Sequence, residues 1–133
     1  MAESADFFER FAMQPVDATG FDAALAAAPD LACVYFWGDN CFNCEQFKAA
    51  VQMAPQRLQG LGVSWLHANV YADTALGRRF GLHGVPAFYF FASGRRLGRI
   101  TGWQGFEHFA GVVADLCARL AHEKQTEDSV QTA

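Results

Sequence analysis

The order of apolar and polar positions divides the chain into short segments of changing period. Residues 4–12 (SADFFERFA) place Phe7, Phe8 and Phe11 at helical spacing. A second helix, FDAALAAA, follows Thr19, a residue suited to capping, and ends at Pro29. LACVYFW (31–37) is an unbroken apolar run, the pattern of a strand buried on both faces. Beyond it Phe47, Val51, Ala54, Leu58 and Leu61 step by four, three, four and three, which defines one face of a helix. Pro55 kinks or splits that helix, and Gly60 and Gly62 close it. VSWLHANV (63–70) reads as a strand and DTALGRRFG (73–81) as a short helix. PAFYFF (86–91) and LGRIT (97–101), joined through Ser93-Gly94, read as an antiparallel hairpin. Phe106, Phe109, Val113, Leu116 and Leu120 form the stripe of a last helix, and HEKQTEDSVQTA is polar and aperiodic, the composition of a disordered tail. Strands that alternate with helices and end in a hairpin predict an α/β protein, with a central mixed sheet and helices on both faces.

Composition narrows the function classes. With 133 residues the chain makes one domain, and 52% apolar against 18% charged residues supports a packed core. Thirteen phenylalanines make that core, or a contact surface, aromatic. A net charge of −4 gives no general attraction for nucleic acid or an anionic membrane, so neither is expected as a partner. The opening MAESADFFERFAMQ lacks a basic start followed by a long apolar stretch, and no run is long enough to span a bilayer. The expected location is the cytoplasm, where four cysteines do not make a structural disulfide framework.

The candidate chemistry lies in WGDNCFNCE (37–45), directly after the first predicted strand. Cys41 and Cys44 admit three readings: a redox pair, half of a metal site, or two core thiols. Asp39 or Asn40 is a natural cap, which puts Cys41 at or next to the first turn of a helix. Residues three apart on a helix have Cβ atoms about 5–6 Å apart. A disulfide needs Cα atoms about 4.4–6.8 Å apart, so the pair can join and part with little backbone movement. Unpaired N–H groups and the helix dipole stabilise a thiolate at that end. Cys41 is therefore the expected nucleophile, and Cys44, one turn in, the resolving thiol. Asp39 and Glu45 oppose ionisation, and no Lys or Arg adjoins the pair, a combination that favours a reducing couple. A closed zinc site needs four ligands, whereas Cys33, Cys117 and the four histidines show no ligand spacing, so no metal is expected. Cys33 and Cys117 read as buried apolar side chains. Arg78, Arg79, Arg95, Arg96 and Arg99 could steer an acidic partner, although a solvated surface is the simpler reading.

Over residues 13–120 the chain resembles the thioredoxin family. The resemblance rests on a buried strand ending in Tyr35-Phe36-Trp37, then Cys41-Phe-Asn-Cys44, and Gly84-Val85-Pro86 some forty residues later, with Gly94 and Gly102 also in place. It implies a thioredoxin fold spanning 13–121, preceded by an added helical extension (1–12) and followed by the polar tail (122–133). It also implies a cis proline at Pro86 beside the dithiol, with the main chain of Val85 pairing to an extended substrate. Trp37 and Gly102 would line the same groove, while Phe42, which departs from the family pattern, would offer an apolar contact beside the nucleophile. The implied activity is reduction of protein disulfides, with no bound cofactor and a thioredoxin-reductase-type electron donor.

Several positions depart from the family pattern. Phe42-Asn43 replaces Gly-Pro between the cysteines, and Asn40 replaces a tryptophan before them. Tyr35 occupies the place of the buried aspartate that accepts the resolving thiol's proton. His67 replaces a lysine that accompanies it, and Glu45 replaces a basic residue. Glu45, Asp39, Tyr35 and His67 are thus the groups available to tune the thiols; His67 has the suitable intrinsic range, although a partly buried strand histidine is the simpler reading. These departures keep an alternative open, a thioredoxin-fold module that docks one partner with little or no turnover. An oxidase or isomerase would require export.

Overall fold

The computed structural model describes residues 2–132, and side chains from residue 6 to residue 126. It contains α1 (Ala2–Arg10), β1 (Gln14–Pro15), α2 (Phe21–Ala27), β2 (Leu31–Trp37), α3 (Phe42–Met53), α4 (Pro55–Gln59), β3 (Ser64–Asn69), α5 (Thr74–Arg79), β4 (Ala87–Ala92), β5 (Arg95–Thr101) and α6 (Phe106–Thr132). The five strands form one mixed sheet in the order β1-β3-β2-β4-β5. β1 and β2 run parallel to β3, while β2–β4 and β4–β5 are antiparallel. The two-residue β1 carries no apolar alternation, which is why periodicity alone does not find it.

The central strand explains the sheet's two faces. Side chains alternate along a strand, so Val34 and Phe36 join Phe21, Leu25, Leu76, Tyr89 and Phe91 in a single buried cluster, facing α2 and α5. Tyr35 points to the other face, where Phe47 of α3 and Phe88 of β4 pack on it at ring distances of 4.8 and 5.3 Å. Phe7 of α1 reaches Phe47 at 6.1 Å, so the N-terminal helix completes that second layer. Both faces are therefore aromatic, and most of the phenylalanines are spent on the core.

Local breaks follow from particular residues. The long helix parts at Ala54, whose φ of −143° is not helical, and Pro55 restarts it at a first turn where no N–H is missed. Ser93 and Gly94 take φ of 52° and 76°, the two positive values of a tight hairpin turn, between Ala92 and its partner Arg95. Thr19 does not cap α2. Gly20 is the cap residue without a side-chain bond, and Asp17 Oδ1 accepts from its N–H at 2.7 Å.

Residues 1–103 and 104–133 form two compact units. In the second, Phe109, Val113 and Leu116 are the buried stripe of α6. The helix runs on through residues 122–132, where the polar composition predicts a disordered tail. His122 to Asp128 are mostly helix formers, and Thr126 Oγ1 donates back to the His122 carbonyl at 3.0 Å. Cys117 falls beside the stripe and is exposed, contrary to its expected burial, whereas Cys33 is buried in β2.

Candidate active site

β2 carries the chain to Trp37 in the middle of the sheet, and the turn at Gly38–Asn40 then feeds α3. Asn40 adopts φ of 57°, a left-handed value that asparagine tolerates. The cap of α3 is Cys41 itself rather than Asp39 or Asn40: its backbone is extended, and its sulfur accepts from the Cys44 N–H at 3.1 Å. The Asp39 carboxylate is engaged elsewhere, accepting from Asn69 Nδ2 at 3.2 Å. Cys41 and Cys44 are joined as a disulfide with Cα atoms 5.2 Å apart. Cys41 is half-buried, and Cys44, one turn inside, is 2% exposed. The two sulfurs therefore differ in access, and the outer one sits where helix N–H groups converge.

Val85 closes the other side. Its carbonyl oxygen lies 3.5 Å from Cys41 Sγ, and the Val85–Pro86 peptide bond is cis. Pro86 is buried, and its carbonyl accepts from the Gly102 N–H at 2.8 Å, which ties the end of β5 to the start of β4. Val85, Pro86 and Gly102 line one groove of about 330 Å³. Phe42 projects from the first turn of α3, 74% exposed. Val85 thus lies against the sulfur pair, and Pro86 and Gly102 line the groove that continues from it.

Trp37 is directed elsewhere. Its Nε1–H donates to His67 Nδ1 at 3.1 Å, and the Phe8 ring stacks on the imidazole at 3.5 Å between centroids. His67 is thus held between α1 and β2, with Nδ1 occupied as an acceptor and its proton on Nε2. Burial pushes its pKa down to about 4, so the ring is neutral near neutral pH. Such a group supports Trp37 rather than exchanging protons.

The same burial has a consequence for acid stability. His67 binds its proton more readily in the unfolded chain, where its pKa is about 6.5. Stability tied to the neutral ring is complete above about pH 6.5 and is lost as pH falls toward about 4, an effect of about 1–3 kcal/mol after solvent screening. Urea midpoints at about pH 7 and about pH 4.5 should show this loss, with a smaller difference in His67→Gln. Equal pH dependence in the two chains would remove His67 as its source.

Tyr35 is 1% exposed, and burial first, then the Glu45 carboxylate, raises its pKa well above the usual phenol value. Its hydroxyl stays protonated and is a poor proton acceptor. Glu45 is exposed and paired with Lys48 at 3.1 Å. Among the described residues no group of three or more His, Cys, Asp or Glu could hold a metal ion, and no helix is long and apolar enough to cross a membrane.

Two neighbours of the site carry no sequence signal. Tyr71, 57% exposed, covers Gly38, where an added Cβ would lie 2.5 Å from the tyrosine ring. Asn69 holds Asp39 with its amide nitrogen and accepts from the Tyr71 N–H at 3.0 Å with its oxygen. Both lie in or beside the turn after β3, where neither period nor composition marks a role.

A model of the family described as Thioredoxin matches residues 12–115. The chain belongs to the thioredoxin family. Solved structures agree on the fold. A thioredoxin variant from Halobacterium salinarum superposes with a TM-score of 0.63 at 22% identity, over 77% of this chain and 88% of its own. Thioredoxin f2 from Chlamydomonas reinhardtii superposes at 0.64 with 19% identity, over 77% and 94%. A search of curated protein sequences finds no match. The thioredoxin family and the Cys41–Cys44 pair together support thiol–disulfide oxidoreductase chemistry.

Proposed function

We propose that this thioredoxin-family protein reduces disulfides in protein substrates. The observation that carries the reading is Cys41 at the cap of α3, half-buried, joined to a buried Cys44 and facing the Val85 carbonyl. In the reduced protein the Cys41 thiolate attacks one substrate sulfur and forms a mixed disulfide, and the other substrate sulfur leaves as a thiolate. The Cys44 thiolate then attacks Cys41 Sγ, forming the Cys41–Cys44 bond and expelling the second substrate thiol. Two electrons pass to the substrate, which takes up two protons. A donor of the thioredoxin-reductase type returns the electrons, and the domain requires no bound cofactor. The substrate main chain lies along Val85 and Pro86 in strand-like pairing, with Phe42 against its side chains. The expected setting is the reducing cytoplasm.

A redox titration of the Cys41/Cys44 couple, with Cys33 and Cys117 replaced, tests the direction of transfer. A potential near about −270 mV is expected. A value near about −180 to −120 mV would instead assign the chain to oxidation or isomerisation.

A further inference from the structure

Two grooves share Val85, whose carbonyl oxygen lies 3.5 Å from Cys41 Sγ. One, of about 260 Å³, runs past Tyr71, Thr74 and Arg78. The other, of about 330 Å³, follows Val85 and Pro86 to Arg99, Thr101 and Gly102. They share Leu82, His83, Gly84 and Val85, so the segment before the cis proline forms a ridge between them. Their charged lining residues are Arg78 and Arg99, both exposed. His83 is the other titratable base, and no Asp or Glu is among the described residues lining either groove.

This local sign is opposite to that of the molecule, which carries −4. Nearby cations are differently placed. Arg79 is spent on Asp22 at 2.7 Å, and Arg96 lies over the Tyr89 ring. Arg99 donates to the Tyr89 hydroxyl at 3.4 Å, a neutral partner, and among the described residues no carboxylate forms an ion pair with it. The carboxylates of the site, Asp39 and Glu45, belong to the cysteine side and are held by Asn69 and Lys48.

We propose that the grooves take an acidic segment of the disulfide-bearing protein, with carboxylates meeting Arg78 and Arg99 on either side of a main chain laid along Val85. The inference rests on the reductase reading above and adds the substrate class. Charges at the rim of a contact act mainly on encounter and on the choice of partner. The preference should therefore appear in kcat/KM and weaken with salt.

The test uses two synthetic peptides, each carrying one cysteine in disulfide linkage to a chromophoric thiol. One has Asp and Glu flanking the cysteine, the other Ser and Gln, and dithiothreitol restores the protein dithiol. At low ionic strength the acidic peptide should be reduced about tenfold faster in kcat/KM, a ratio that falls toward one in about 0.5 M salt. The ratio should collapse toward one in Arg78→Gln/Arg99→Gln and fall below one in Arg78→Glu/Arg99→Glu. Equal rates for both peptides in the parent protein, or an unchanged ratio in the Gln variant, overturns the inference and leaves the reductase reading standing. No turnover of either peptide overturns both.

Discussion

Cys41→Ser should abolish disulfide exchange, with a fall of roughly three orders of magnitude or more, while Cys44→Ser should stop halfway and accumulate a mixed disulfide through Cys41. The asymmetry follows from access. Cys41 is half-buried at the cap of α3, with the Cys44 N–H directed at its sulfur. Cys44 is 2% exposed and can reach a substrate only by way of Cys41. Cys117 is an exposed thiol and could form an adventitious bond, so both substitutions belong in a chain with Cys33 and Cys117 replaced. Thiol release from a protein disulfide measures turnover, and mass spectrometry without reductant identifies the trapped species. Turnover persisting in Cys41→Ser would sink the dithiol mechanism. The same variant separates the docking alternative, in which a partner is still bound and the biological effect survives without the thiol.

Much of the fold is legible because the periodic signals agree with one another. The apolar run at 31–37 can be buried only as a strand covered on both sides, and Tyr35 and Phe36 do point to opposite aromatic layers. Phe47 and Val51 mark the buried face of α3 and Leu58 that of α4, Pro55 marks their division, and the predicted stripe overruns α4 at Leu61. The exact start of α3 is less legible, because a cap is decided by competition between neighbours. Asp39 is drawn off by Asn69, Asn40 turns left-handed, and the sulfur of Cys41 takes the cap position. The Trp37–His67–Phe8 stack is also hidden from pattern reading. It joins three elements far apart in the chain, and its decisive contact, an indole N–H on an imidazole nitrogen, has no period. His67 has the intrinsic range of a base, but its place on an apolar strand favours a partly buried histidine, and burial does lower its pKa out of that range. Spacing alone marks Cys41 and Cys44. What surrounds them, from Tyr71 to Asn69, depends on loops that only tertiary packing positions.

Restoring the family's buried carboxylate by Tyr35→Asp should unfold the protein or bring it close to unfolding, not improve it. Tyr35 is 1% exposed and touches Phe47 and Phe88 through its ring, with Phe8 at 6.4 Å. Removing a buried aromatic ring costs about 3–5 kcal/mol. An aspartate would add the cost of burying a carboxyl with aromatic rings as neighbours, in either protonation state. Together these approach the total stability of an ordinary domain, about 5–15 kcal/mol. Tyr35→Phe keeps the rings in place and should change stability by about 1 kcal/mol or less. It should also leave exchange within about threefold, because a hydroxyl whose pKa is raised by burial and by Glu45 does not accept the Cys44 proton. Urea denaturation and thiol-release rates measure both variants side by side. A Tyr35→Asp chain as stable as its parent would mean that this layer has room for a solvated carboxylate. A tenfold loss of rate in a fully folded Tyr35→Phe chain would put the hydroxyl in the proton path. With Tyr35 and His67 both neutral and enclosed, water, the exposed Glu45 carboxylate and the substrate itself remain as acceptors for the Cys44 proton, and a substrate that supplies the base would accelerate the second half of the exchange.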